Sequence, residues 1–544
     1  MNKRKQTWKA AVSAAAICTA AAMPSWAADG TWVGGTSTDL CEPLNWSDGV
    51  LPTDNASIGL ASAGTLTCSG TFSPKSITFA SNSAKVTIGG TGSITEILAI
   101  TNSTANQHHQ FNIPVTFAEG VEADITANSN NNYLNFAGGM TAYTIKLVGA
   151  VGSVAYYCGK ITLLKEYEDW NLSYKNNIYI TDSGTVLTLP GAENSGYNNF
   201  TVRNGAKLVV NGDFRLKCAD HNNNTQNCIV FRIEGTPVGS VTVTGKVISS
   251  NGGHAAPFYY DTSVNGIFAV KGLVNGSSYV FMLNGYHTKV QRNLSTSWWI
   301  GSDGLTGNNG TESGVTMYAF HTRGNRTASY PITVNIAATD DFPIDANLSL
   351  GGYTTVRFKT TDPESGEGHV ITVNSEVSGY GAMAVDGIGG IAFNNNSNTF
   401  DGGFTANDSA DVVVKPGCRP GNGAVTMNGT STLKVAQSGT VTLGGNLTLG
   451  STAALAFNFT DKMIAPQLAI PAASTIPATV NVKISADEGI IPSSSQTHTL
   501  TSTFDFTGKT VNLVDKPKWV KSVDIVDGNL VLTVKPKGMM IIVK

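Results

Sequence analysis

The sequence predicts an elongated all-β solenoid, and three observations carry that prediction. Charged residues make up only 13% of the 544-residue chain, about half of the ~25% usual for a soluble domain. Glycine occurs 59 times, and Asn, Ser and Thr are abundant. That composition suits tight corners better than helices. Apolar residues alternate with polar ones in short runs broken by glycine, the pattern of strands with one buried face.

The chain is too long for one ordinary core of about 100–200 residues. With 41% hydrophobic residues it can bury a sizeable interior. The net charge of −3 gives no reason to expect a nucleic-acid partner.

Residues 1–27 read as a Sec signal peptide. Lys3, Arg4, Lys5 and Lys9 form the basic region, Ala10 to Met23 the apolar region, and Pro24 breaks any helix before the junction. Ser25 and Ala27 are small residues placed for cleavage before Ala28. Removing this segment takes away four cations and no acid, so the net charge moves from −3 to −7. No later run is long and apolar enough to be a membrane-spanning helix, so the mature chain is expected not to span a membrane.

Six cysteines follow the signal: Cys41, Cys68, Cys158, Cys218, Cys228 and Cys418. An even number in an exported chain permits disulfides. Cys41 with Cys68 and Cys218 with Cys228 are the close pairs and the disulfide candidates. Buried free thiols are the alternative. None of the spacings is a CxxC metal or redox motif.

The strand pattern is clearest from Gly423 to Phe459. Val425 and Met427, Leu433 and Val435, Val441 and Leu443, Leu447 and Leu449, then Leu455, Phe457 and Phe459 alternate with polar partners. Gly429, Gly439, Gly444, Gly445 and Gly450 break the runs. Three strand-turn units make a rung of about 20–25 residues, the period of a β-solenoid. Lys207–Gly212, Val241–Ile248 and Val356–Lys359 repeat the texture. Leu163–Trp170 is the one short helix candidate, with a loop or a strand as equal alternatives. No rung holds enough apolar residues for its own core, so rungs must stack to close one. Stacked β-sandwiches are the alternative architecture.

This divides the chain into the signal (1–27), an N-terminal cap and strand region (28–75), β-helix repeats (76–459, strongest over 388–459) and a C-terminal β cap (460–544). Asn529–Val534 and Met539–Val543 are expected closing strands. Lys535, Lys537 and Lys544 would guard an exposed edge.

Asn398-Thr399-Phe400-Asp401-Gly402-Gly403-Phe404-Thr405 is followed by Asp411–Lys415 and Gly421-Asn422-Gly423-Ala424-Val425-Thr426. In these residues the chain resembles passenger-type proteins built on autotransporter-associated β-strand repeats. Trp32, Asn45-Trp46 and Leu51-Pro52 near the start are similar to the opening of such proteins. Trp519 and Asp527–Leu532 are similar to their end. The resemblance implies a right-handed parallel β-helix exported beyond the inner membrane of a Gram-negative-type bacterium. It also implies a secreted or cell-surface, adhesin-like role. Residues 460–544 are too few for a translocator barrel, so the expectation is a passenger-like repeat protein lacking one.

Catalysis needs specific residues, because a fold does not supply chemistry. Glycoside hydrolysis takes two carboxyls, and Asp340, Asp341 and Asp345 are the candidates. A solvated Asp-rich turn is the simpler reading. A lyase would take a base and often a carboxylate cluster on Ca²⁺. Asp362, Glu364, Glu367 and His369 are close in sequence, with a solvated loop as the simpler reading. His108-His109 has no partner at metal spacing and is expected at the surface. No P-loop, HExxH, dinucleotide or nucleophile-elbow motif occurs, so no cofactor or metal is expected.

The binding candidates are aromatic: Trp298, Trp299, Tyr259 and Tyr260, with Tyr156-Tyr157 similarly paired. Adjacent strand residues face opposite sides, so each pair can place one ring in the core and one outside. Exposed rings beside Asn and Asp suit stacking on sugars.

The sequence therefore points to an exported, non-enzymatic β-helix protein, adhesin-like or structural, with a polysaccharide or cell-surface glycan as partner. A polysaccharide lyase or glycoside hydrolase on the same fold is the alternative. A surface or extracellular location is expected, with a periplasmic endpoint left open.

Overall fold

The computed structural model describes residues 27–104, 107–127 and 331–536 without a break, and shorter stretches between 133 and 322. The signal segment up to residue 26, most of Leu163–Trp170, and Met539–Val543 lie outside the described residues.

The chain is a β-solenoid of stacked parallel strands. The single helical element among the described residues is a 3₁₀ turn at Pro43–Asn45. From Asn55 to Phe117 three short strands separated by corners make each turn, and from Gly390 to Met427 two do. Val370–Val373, Gly390–Phe393, Asp411–Val414, Thr432–Val435 and Ala454–Phe459 pair in parallel, each on the next. Their alternation forces one set of side chains inward. Ile371, Ile391, Val412, Leu433, Leu455 and Val482 stand in one buried column. Near the other end, Ala56, Ile77, Ile100 and Ile125 form another. Each buried Val, Leu or Ile contributes on the order of 1.5–3 kcal/mol. That gain exists only once a neighbouring coil covers the side chain.

Three longer strands, Ser240–Ser249, Ile267–Asn275 and Ser297–Gly307, bend round a corner and serve two faces. Register shifts mark the bends, between Val243 and Lys246 and between Val270 and Gly272. At this bend Asp303 lies 3.4 Å from both the Lys246 and Lys271 ammonium groups.

The repeat motif resolves into folding parts. Asn398 is fully buried; its side-chain oxygen accepts the Val377 N–H at 2.9 Å and its amide donates to the Arg419 carbonyl at 3.1 Å. One side chain thus bridges three coils. Phe400 fills the interior beneath. A Cβ at Gly402 would lie 2.4 Å from the Gly381 backbone, and one at Gly423 2.4 Å from the Gly403 backbone. Successive corners stack too closely for any side chain there. Outside, amides ladder from coil to coil: Asn407 donates to Asp386 at 2.7 Å and Asn428 to Asn407 at 3.0 Å.

The parallel winding runs past the change of texture at 460, through Thr479–Ala486 to Thr510–Val514. An antiparallel sheet of His498–Thr499, Asn529–Val534 and Val520–Val526 then closes the end. Asp527 and Gly528, both at positive φ, form its two-residue turn. At the other end Trp46 is buried, stacked on Phe72 at 5.4 Å and met edge-on by Trp32 at 5.4 Å. No helix among the described residues is long and apolar enough to cross a membrane.

His109 departs from its expected surface position. It is fully buried, with its ring stacked on Phe79 at 3.9 Å. Nδ1 accepts the Val86 N–H at 3.1 Å, so Nε2 carries the proton and donates to the Thr104 hydroxyl at 2.7 Å. Burial, with the neighbouring His108 adding, pulls its pKa down to about 4. The strand His108–Phe111 turns this position inward, and two polar partners, Val86 on the preceding coil and the nearby Thr104, make a buried imidazole tolerable.

Candidate functional site

The carboxylates proposed from sequence sit on one coil but at two of its corners. Phe342–Ile344 is a strand whose ends point Asp341 to one corner and Asp345 to the next. About 13 Å of extended chain separates them. Asp345 accepts a hydrogen bond from the Asn374 side-chain amide at 2.8 Å, and Asn394 donates to Asn374 in turn at 3.0 Å. It is the foot of an amide ladder. Asp340 accepts the Asp341 N–H at 2.8 Å and is otherwise exposed. The three do not converge as an acid and base pair.

The structure assembles a different group around Asp341. Between Thr354–Lys359 and Val370–Val373 the chain leaves the coil in a small hairpin, with Thr361 bridged to Gly368. The Asp362 N–H donates to Glu367 O at 2.8 Å, and the His369 N–H to Thr360 O at 2.7 Å. The Asp362 carboxylate is nearly buried and accepts the N–H groups of Glu364 at 2.6 Å and Ser365 at 2.7 Å. The Ser365 backbone donor, helped by that of Glu364 and opposed by burial, holds this carboxyl below its ordinary range. The His369 ring lies between two carboxylates, Nδ1 at 3.6 Å from Asp341 and Nε2 at 3.8 Å from Asp362. Both distances are too long for hydrogen bonds. Asp341 also accepts the Val370 N–H at 2.7 Å.

This geometry holds a loop more readily than it moves a proton. A general acid needs a raised pKa, and that of Asp362 is lowered by the turn it closes. Glu364 and Glu367 are exposed on the hairpin. Among the described residues no three His, Cys, Asp or Glu side chains are placed to share a metal ion.

The aromatic candidates divide. Trp298 is in the core, 1% exposed and edge-to-face on Phe268 at 5.2 Å, so it cannot stack on a ligand. It falls in the inward column between Phe268 and Ile336. Trp299 takes the other side of the strand, half-buried, with Ala269 and Ala337 beside it in register. Tyr259 ends the short strand Phe258–Tyr259. Its side chain, Tyr260, Cys218 and Cys228 lie outside the described residues.

Two tyrosines that sequence reading missed are the most exposed aromatic surface among the described residues. Tyr353 is 55% exposed and Tyr380 is 79% exposed. They share one corner on neighbouring coils, because Leu350 pairs with Gly379. A Cβ at Gly352 would lie 4.0 Å from the Tyr380 Cβ. Tyr353 has φ +55, a conformation that costs a bulky residue on the order of 1–3 kcal/mol. On the next coils the same corner carries Asp401-Gly402 and Asn422-Gly423, and Asn422 donates to Asp401 at 3.3 Å. The strip is two rings followed by a carboxylate and an amide, on a base of stacked glycines. Tyr353 follows Gly-Gly and Tyr380 follows Ser-Gly, neither with a periodic signal, which is why the strip appears only when the coils stack.

No protein-family model, no curated protein and no solved structure matches this chain.

Proposed function

We infer that this chain is an exported, non-enzymatic β-solenoid that binds a glycan along its flank, as an adhesin-like passenger protein does. The observation that carries this reading is the exposed Tyr353 and Tyr380 pair on adjacent coils, with Asp401 and Asn422 following on the same corner. Sugar rings stack on flat aromatic faces, while carboxylate and amide groups take their hydroxyls. Parallel coils repeat at about 4.8 Å, so the strip presents successive contacts to an extended, repeating ligand. Export rests on the signal-like residues 1–27, and the adhesin-like role on the repeat motif around Asn398–Thr405.

The test uses purified residues 28–544 against plant, algal and mucin polysaccharides, following retention, reducing ends and unsaturated products together. Retention without product, reduced about tenfold or more in Tyr353→Ala/Tyr380→Ala, is the expected result. Retention unchanged in that variant would remove the strip from the reading. Turnover abolished by Asp341→Asn would replace the reading with the carbohydrate-active enzyme, with the Asp341–His369–Asp362 grouping as its site.

A further inference from the structure

The two sulfurs at the start of the solenoid are placed to bond. Cys68 ends the strand Gly64–Cys68 and is fully buried, whereas Cys41 is partly exposed. Their Sγ atoms lie 3.6 Å apart across 27 residues of sequence. Both flanks are fixed. Asp39 bridges in parallel to Thr67, with the Leu40 N–H on Thr67 O at 2.7 Å and the Thr67 N–H on Thr38 O at 2.8 Å. The Asp39 carboxylate accepts the N–H groups of Cys41 at 3.0 Å and Ser69 at 3.2 Å, and the Ser69 hydroxyl. The segment that carries Cys41 is the plug over the first coil, since the Trp46 indole N–H donates to Leu40 O at 2.9 Å and its ring covers Phe72.

We propose that Cys41 and Cys68 form a disulfide in the exported protein, a latch that ties the N-terminal plug to the first coil. The more exposed Cys41 gives up its proton and attacks a sulfur of a donor disulfide, releasing one donor thiolate. Cys68 then gives up its proton and attacks Cys41 Sγ from the inside, releasing the second donor thiolate. One S–S bond forms, one breaks, and the two protons end on the reduced donor. Burial, then the adjoining Cys41 thiol, pushes the Cys68 thiol up to about 12. Cys68 is therefore the slow, resolving partner and is inert toward solvent. The bond would form after the first coil has folded, because only the Asp39–Thr67 bridge brings the sulfurs together. A latched plug also keeps the first edge strand from pairing with another chain. This proposal stands apart from glycan binding.

The chain is produced by export, unfolded with an alkylating agent and no reductant, digested and weighed. A peptide containing Cys41 linked to one containing Cys68, separating only after reduction, is the expected result. Both cysteines alkylated without reductant, or Cys41 linked elsewhere, would overturn it. The latch role is read by limited proteolysis of the native protein. Reductant should speed cleavage within residues 28–54 about tenfold or more and leave Cys41→Ser/Cys68→Ser unaffected. Equal rates with and without reductant would overturn the latch. Should the double variant fail to fold, the wild-type comparison decides alone.

Discussion

The coils from Asp386 to Asn428 and the coil from Asp341 to Val370 share one plan and differ at their corners. In the first, hydrogen-bonded partners on successive coils stand 21 residues apart. In the second they stand 29 apart. Most of the added chain goes into the hairpin around Asp362 and about two residues of it into the corner that carries Tyr353, as the strand registers show. Ile371 and Ile391 still stand in the column that continues through Val412 and Leu433. A solenoid fixes the inward strand positions and leaves the corners free, because lengthening a surface loop costs little closure entropy. Variation, and with it recognition, collects at the corners.

The regular coils should break most easily. Phe400→Ala leaves a cavity in a fully buried position, at a cost of about 3–5 kcal/mol. Amide exchange should lose protection over neighbouring coils and not along the whole rod, since each coil contacts only its neighbours. Loss of protection from end to end would show a longer cooperative unit.

Acid should act on a third kind of position, where a strand carries a titratable ring into the interior. His109 binds its proton in the unfolded chain near 6.5 but in the folded chain only near 4. Between those values the unfolded state holds more protons, so stability falls as pH drops. It is complete above about 6.5, declines by about 3 kcal/mol, and levels off below about 4. Exchange at the Val86 amide, measured across this range, should follow that curve, and His109→Gln should flatten it.

Asn398→Leu leaves the Val377 N–H and the Arg419 carbonyl unsatisfied. Each unsatisfied buried group costs about 1–3 kcal/mol. Local exchange around Val377 and Arg419 should rise, and Asn398→Asp should restore only the Val377 contact. The smallest effect belongs to the hairpin. Glu364→Gln with Glu367→Gln should change urea stability by no more than about 0.5 kcal/mol. A larger loss would give that corner a structural role.

Much of the fold was legible because a strand has period 2 and glycine marks its corners. Val425 to Phe459 gave the inward columns directly. Gly402 and Gly423 were visible as a motif, but their reason, the approach of the coil below, is a contact between residues some 21 positions apart. The site was far less legible. Alternation could say that Trp298 and Trp299 face opposite sides, but which side is inner depends on registry with Phe268 and Ile336. His109 read as a surface residue because its partners Phe79 and Val86 belong to another coil.

The sequence by itself determined that this chain is all-β, that it winds in rungs, and which strand positions alternate. Local spacing and the conformational range of glycine are enough for that. The tertiary structure alone decided which residues become neighbours. It separated Asp341 from Asp345, set His369 between Asp341 and Asp362, aligned Tyr353 with Tyr380, and brought Cys41 to Cys68. Each of these depends on the number of residues in a coil, and that number changes from corner to corner with little trace in the local pattern.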